Sequence, residues 1–302
     1  MAVGFRQDGP LRPLGRARLQ PVADADAARA PRRSRLAAGL SMPSGPGLVR
    51  PSPLAQPWES ALIRLVRAGA PAAELREATA SSPEGARVAA VIELARDALG
   101  RGDDDRAQRI AGRLVRSRYD PASDPFLARY GLSLSVRLPL SAGLDVTVPL
   151  DVAALRLVFA ELAGADDHAV AAAALETLPP STLAAAALAS LYSARRRWAD
   201  VAVLTAGIVN VDAASAAALI RRGAALRELG LIESALDALD KVVRPNVTTA
   251  RPFELRAEAL FERASTHLAD GRRAPARRDL ERVLVQYPES TEARELLAAA
   301  SR

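Results

Sequence analysis

The chain has no cysteine, two histidines, one lysine and eleven aromatic residues among its 302. Without cysteine there is no disulfide framework, thiol chemistry or cysteine-ligated metal, and His168 and His267 alone are too few for the usual imidazole-rich metal sites. Long hydrophobic runs are missing too. No stretch reaches 18 uncharged apolar residues, and no apolar core follows the basic residues near Met1. The sequence therefore supports neither a membrane span nor a secretory signal, and the cytoplasm is the expected compartment. There is no G-x-x-x-x-G-K-[ST] loop, and Lys241 lies in a helical pattern without the glycines that wrap backbone amides around phosphates. Ser60 and Ser190 have no histidine near them in sequence. Nothing reads as an active site, so the chain is expected not to be an enzyme and to need no cofactor.

What is present is apolar and helix-forming. Nearly half the residues are hydrophobic, and Ala, Leu and Arg recur throughout, which favours helices packed closely through small side chains. The formal net charge of +6 is not spread evenly. Residues 1–56 hold nine Arg and three Asp, leaving 32 basic and 32 acidic residues to cancel in the rest. A neutral body offers no built-in footprint for a phosphate backbone, so no specific nucleic acid is expected as a partner, although the basic arm alone would attract polyanions weakly. Residues 1–57 are rich in proline and poor in periodicity and are predicted to be a disordered arm, with Met42 an alternative start. Removing residues 1–41 is expected to leave folding unchanged.

From Trp58 onward the chain reads as helices separated by short breaks. Gly164, Arg197 and Gly230 fall at intervals of 33, with Gly102 before them and Gly271 after, each at the turn of a helix pair. Gly223 and Ala264 take the close-contact place of the first helix, and Ala107, Ala169, Ala202, Ala235 and Ala276 the small place five residues past each turn. Leu239 and Leu280 follow, then Val242 and Val283, and Pro288 closes the last unit. Together these predict an all-α, right-handed tetratricopeptide-like superhelix of about six helix pairs over residues 58–302, with 289–300 as a capping helix.

One stretch breaks the rhythm. Leu132, Leu134, Val136 and Leu138 alternate with Ser133, Ser135 and Arg137, and after Ser141-Ala142-Gly143 the alternation resumes in Leu144, Val146 and Val148. That pattern predicts a β-hairpin at about 131–149. Its polar face, with Ser133, Ser135, Arg137, Asp145 and Thr147, is expected to project as a finger toward a partner. The alternative is that its apolar face plugs a gap in the stack.

A helical-repeat chain with this hairpin resembles the N-terminal domain of the EccA family, the cytosolic AAA+ proteins of type VII secretion systems. The resemblance rests on Arg118-Tyr119-Asp120 through Val148-Pro149-Leu150 and on Arg196-Arg197-Trp198-Ala199-Asp200-Val201. It implies an accessory domain that recognises helical secretion substrates or regulates an ATPase. The ATPase half of that family has no counterpart here, so ATP hydrolysis is not carried over.

Among individual residues, Asp103-Asp104-Asp105 and Asp166-Asp167-His168 open helices, where acidic side chains favour the positive dipole end. His267 and Trp198 read as packed residues rather than ligand or anchor, and Arg195-Arg196-Arg197 as a solvated basic turn. In a solenoid the first helices line the inner groove, and the residues placed there are Leu191, Arg195, Ile220, Arg227, Phe261 and Leu268. Three functions are open: an adaptor binding a helical or extended protein segment, a detached EccA-like half working with a separate AAA+ ATPase, and a nucleic-acid-associated regulator using the basic arm.

Overall fold

The computed structural model describes residues 36–43, 49–141, 144–164, 167–244 and 253–301. Strand β1 (Ala37–Ser41) comes first, then the helices α1 (Pro57–Arg67), α2 (Ala72–Ala78) and α3 (Pro83–Glu93). A π-helical turn, Leu94–Ala98, joins α3 to α4 (Leu99–Arg101), and α5 (Asp104–Arg116) follows. After a 3-10 turn and the short α6 (Pro125–Arg129) come β2 (Ser133–Ser141) and β3 (Leu144–Pro149). The remainder is α7 (Val152–Ala163), α8 (His168–Glu176), α9 (Thr182–Ala194), α10 (Trp198–Leu204), α11 (Ala213–Glu228), α12 (Ile232–Val243), α13 (Phe253–Ala269), α14 (Arg273–Gln286) and α15 (Thr291–Ser301). These make six helix pairs and a terminal helix, the tetratricopeptide arrangement expected from the period.

Local chemistry fixes the helix starts. Ser82, Asp103, Asp151, Ser181 and Asp212 each accept a backbone N–H three residues on, and Asp167 accepts those of Ala169 and Val170. Such caps satisfy donors that the first turn leaves free. Asp212 and Ser215 cap reciprocally. Burial disfavours the Asp212 charge, but hydrogen bonds from Ser215, Thr182 and the Ala214 backbone outweigh it and hold the carboxyl below its usual range.

The turns show where the period was misread by a residue. Gly102, Gly230 and Gly271 are left-handed, and in the fourth pair the left-handed residue is Arg196 (φ 57), one before Arg197. Five residues past these turns lie Ala107, Ala235, Ala276 and Val201, all fully buried. Ala202 is only half-buried, and Ala169 is exposed while Ala171 is buried. Gly164 is right-handed (φ −63) and is the C-cap of α7 rather than the left-handed turn residue, so counting from it misplaces the contact. The close contact within the fifth pair is as expected: a Cβ on Gly223 would sit 2.5 Å from Leu239 Cγ.

The arm expected through residue 57 is corrected at Ala37–Ser41, which form β1, while residues 1–35 and 44–48 lie outside the described ones. β1 pairs antiparallel with β2, Ala37 opposite Arg137 and Ser41 opposite Ser133, giving a sheet in the order β1-β2-β3. The hairpin is thus the centre and one edge of a three-stranded sheet. A lone hairpin is marginal in water, and the third strand adds the pairing it lacks. Leu132, Leu134, Val136, Leu138 and Leu140 are all buried, as is Leu36 just before β1. The sheet rests on the π-helical turn, α4, α7 and α11. The turn residues Ala142 and Gly143 lie outside the described residues.

Candidate functional site

First helices α9, α11 and α13 pack directly against one another, whereas second helices α10, α12 and α14 are separated by clefts. The first helices therefore line the inner side of the curve. Across them runs a polar ladder. Arg221 of α11 donates to Ser190 Oγ of α9 (3.4 Å) and pairs with Glu258 of α13 (3.2 Å). One turn or two further on, Arg227 pairs with Glu262 (2.6 Å) and Glu228 (3.2 Å). Burial alone would disfavour the Arg227 charge, but these carboxylates raise its pKa.

The six groove residues read from the sequence do not stay together as one contact surface. Arg195 is exposed, and Leu191 and Leu268 are half-buried against the core. Arg227 is there but tied into the ladder. Ile220 and Phe261 are corrected: they are 0% and 4% exposed and cannot meet a partner. They share one apolar cluster with Leu140, Leu144 and Val146 of the hairpin, and α11 touches β2. These two positions are therefore filled by packing inside the stack, in the cluster that the hairpin residues join. Arg221, Glu258 and Glu262 were missed because the consensus marks only packing residues. The signal available was Glu258 and Glu262 at i, i+4 on α13, facing Arg221 and Arg227 one helix away.

The finger is likewise corrected in part. Ser133, Arg137 and Thr147 are exposed and Ser135 and Asp145 half-buried, so the polar face is outward as expected. It does not project freely, because β1 flanks β2 and the opposite face is buried in the stack. Trp198 packs against the core, and Arg197 of the basic turn pairs with Asp200 (2.6 Å) and lies 4.1 Å over the Tyr192 ring. Burial and the hydrogen bond to Glu176 push the Tyr192 phenol up to about 12.

On the outer side, a cleft of about 720 Å³ is lined by α12, α13 and α14 residues including Asp240, Arg263, His267 and Asp279. A neighbouring one of about 670 Å³ opens past the end of α10 at Leu204, lined by Leu219 and Arg222 of α11 and by Glu233, Asp237 and Lys241. Arg222 donates to the Ala202 carbonyl. Among the described residues no cluster of three or more His, Asp or Glu side chains could hold a metal, and no helix is long and apolar enough to cross a membrane.

Fold and surface together define a tetratricopeptide helical stack carrying an inserted sheet. The tetratricopeptide repeat family model matches residues 258–290, the unit formed by α13 and α14. Among solved structures, the fold is that of the N-terminal domain of the EccA1 ATPase from the ESX-1 secretion system of Mycobacterium tuberculosis. The TM-score is 0.53 at 22% identity, covering 81% of this chain and 90% of that one. No curated protein matches the sequence.

Proposed function

We propose that this chain is a non-catalytic, protein-binding adaptor that holds a helical or extended segment of its partner. The observation supporting it most directly is the inner side made by consecutive first helices, the surface that such stacks use for binding. Between the hairpin tip and the end of α13 this side is polar, with Arg221, Arg227, Glu258 and Glu262 set in pairs. A partner there would exchange its own charges with the ladder.

The likeness to the EccA1 N-terminal domain, which the chain spans almost completely, supports a narrower form of this reading. The partner is then a type VII secretion substrate, or a separate AAA+ ATPase for which this chain is a detached accessory half, with the cytoplasm as the place of action. Blocking the inner side tests both. Ala224 and Ser265 are half-buried at equivalent places of α11 and α13, and a tryptophan at each fills the groove. Affinity capture from the native host is expected to recover a partner with the wild type and lose it with Ala224→Trp/Ser265→Trp. Equal recovery by both would overturn the inner-side reading, and an ATPase among the captured proteins would select the narrower one.

A further inference from the structure

We infer that the outer face of α5 is a second docking surface, separate from the inner side, for an acidic helical segment of a partner protein. Arg109, Arg113 and Arg116 fall at i, i+4 and i+7, so they share one face of α5, and Arg118 follows just past its end. All four are exposed. None has a carboxylate within ion-pair distance among the described residues, Asp105 one turn before Arg109 included.

Among the described residues no other second helix lines up three such arginines on one face. Elsewhere on the second helices Arg197 is neutralised by Asp200, Lys241 by Asp237, Arg244 by Asp240 and Arg277 by Glu281. The two α14 arginines without a carboxylate partner among the described residues, Arg273 and Arg278, are five residues apart and do not share a face. The partly buried Arg106 of α5 is itself paired with Glu93 (2.7 Å). The helix dipole favours cations in the last turn, which accounts for Arg113 and Arg116 but not for Arg109 in mid-helix. Beside the stripe lies an aromatic foothold. Phe159 of α7 packs on the backbone at Gly112, where a Cβ would meet its Cε2 at 3.0 Å and Arg116 Nη1 at 3.4 Å.

Spacing selects the occupant. From Arg109 to Arg116 the stripe is about 10 Å long at 1.5 Å per residue. Carboxylates at i, i+3 or i+4 and i+7 of a facing helix repeat over the same length, so one acidic helix face matches it charge for charge. Four arginines can neutralise only about four phosphates, a small footprint beside the roughly six to ten contacts of a strongly salt-dependent DNA binder. Residues 1–35 cannot cover the stripe by charge attraction, since they carry eight Arg and three Asp.

The probe is a labelled helical peptide with glutamates at i, i+4 and i+7, compared with its glutamine counterpart and a 20-base-pair DNA duplex, by fluorescence anisotropy on the full chain. Arg109→Glu/Arg113→Glu/Arg116→Glu is expected to weaken glutamate-peptide binding about tenfold or more, three exposed pairs being removed and reversed. The same charge change on α14, Arg273→Glu/Arg277→Glu/Arg278→Glu, should leave most of the affinity. Ala224→Trp should also leave it, which separates this surface from the inner side. Should the charge-reversed chain fail to fold by circular dichroism, the glutamine triple variant replaces it with the same expectation. Equal loss in both triple variants, no binding by the wild type, or tighter binding of the duplex would each overturn the inference.

Discussion

Arg263 and Asp279 face each other through two parallel hydrogen bonds, Nε to Oδ2 and Nη2 to Oδ1, both 2.8 Å, joining α13 to α14 beneath the outer cleft. The same guanidinium reaches Asp240 of α12 at 2.6 Å, so one side chain ties three consecutive helices. Asp279 is only 4% exposed and Arg263 13%. Buried ion pairs add little net stability over an apolar replacement, but a buried charge that loses its partner is costly. Arg263→Met should therefore lower stability by about 3–5 kcal/mol. Arg263→Met/Asp279→Leu should recover much of that loss. Denaturant melts of the two variants decide it, and a single variant as stable as wild type would show that Asp279 does not depend on Arg263.

The N-terminal strand bears on stability as well. β1 supplies five paired residues to the edge of β2, and Leu36 beside it is buried against the core. Removing residues 1–41 takes away both, uncovering the β2 edge and the apolar surface under Leu36. Against the sequence-based expectation of no effect, this deletion should cost about 2 kcal/mol or more, the usual value of one buried leucine alone. A deletion of residues 1–35 keeps β1, so the difference between the two melting temperatures isolates the strand. Identical melting of the two would show that β1 contributes nothing.

Much of the stack was legible because its determinants are local. Asp and Ser caps, left-handed glycines and small contact residues such as Gly223, Ala235 and Ala276 announce a helix pair whatever surrounds it. The hairpin was legible for the same reason, its period-two alternation being confined to one stretch. What escaped was long-range. Ala37–Ser41 is short and, Leu40 apart, made of small residues, and only the waiting edge of β2, almost a hundred residues later, makes it a strand. Ile220 and Phe261 were placed on the groove by the repeat, yet both are buried in a cluster that joins α11, α13 and the hairpin, an arrangement no single repeat encodes. The ladder of Arg221, Arg227, Glu258 and Glu262 likewise exists only once neighbouring units are stacked.

His267 carries a pH dependence whose sign follows from its surroundings. It lies on α13, its Nδ1 is buried with no hydrogen-bond partner among the described residues, and it lines the cleft beside Arg263 and Asp279. Burial lowers its pKa below the ordinary 6.5, with Asp279 opposing and Arg263 and Arg272 reinforcing the shift. In the unfolded chain the imidazole takes up a proton as pH falls through 6.5, while in the folded chain it resists until a lower pH. Between those two values the unfolded state binds more protons, so stability is full above 6.5 and drains away as the pH falls toward the folded value. His267→Gln cannot titrate there. Its stability should change less than that of the wild type between about pH 7.5 and 5.5, a window set by the unperturbed imidazole. Other groups cancel in the comparison, because both proteins keep every carboxylate. Parallel profiles for the two chains, or a steeper one for the variant, would mean that His267 is as easily protonated folded as unfolded.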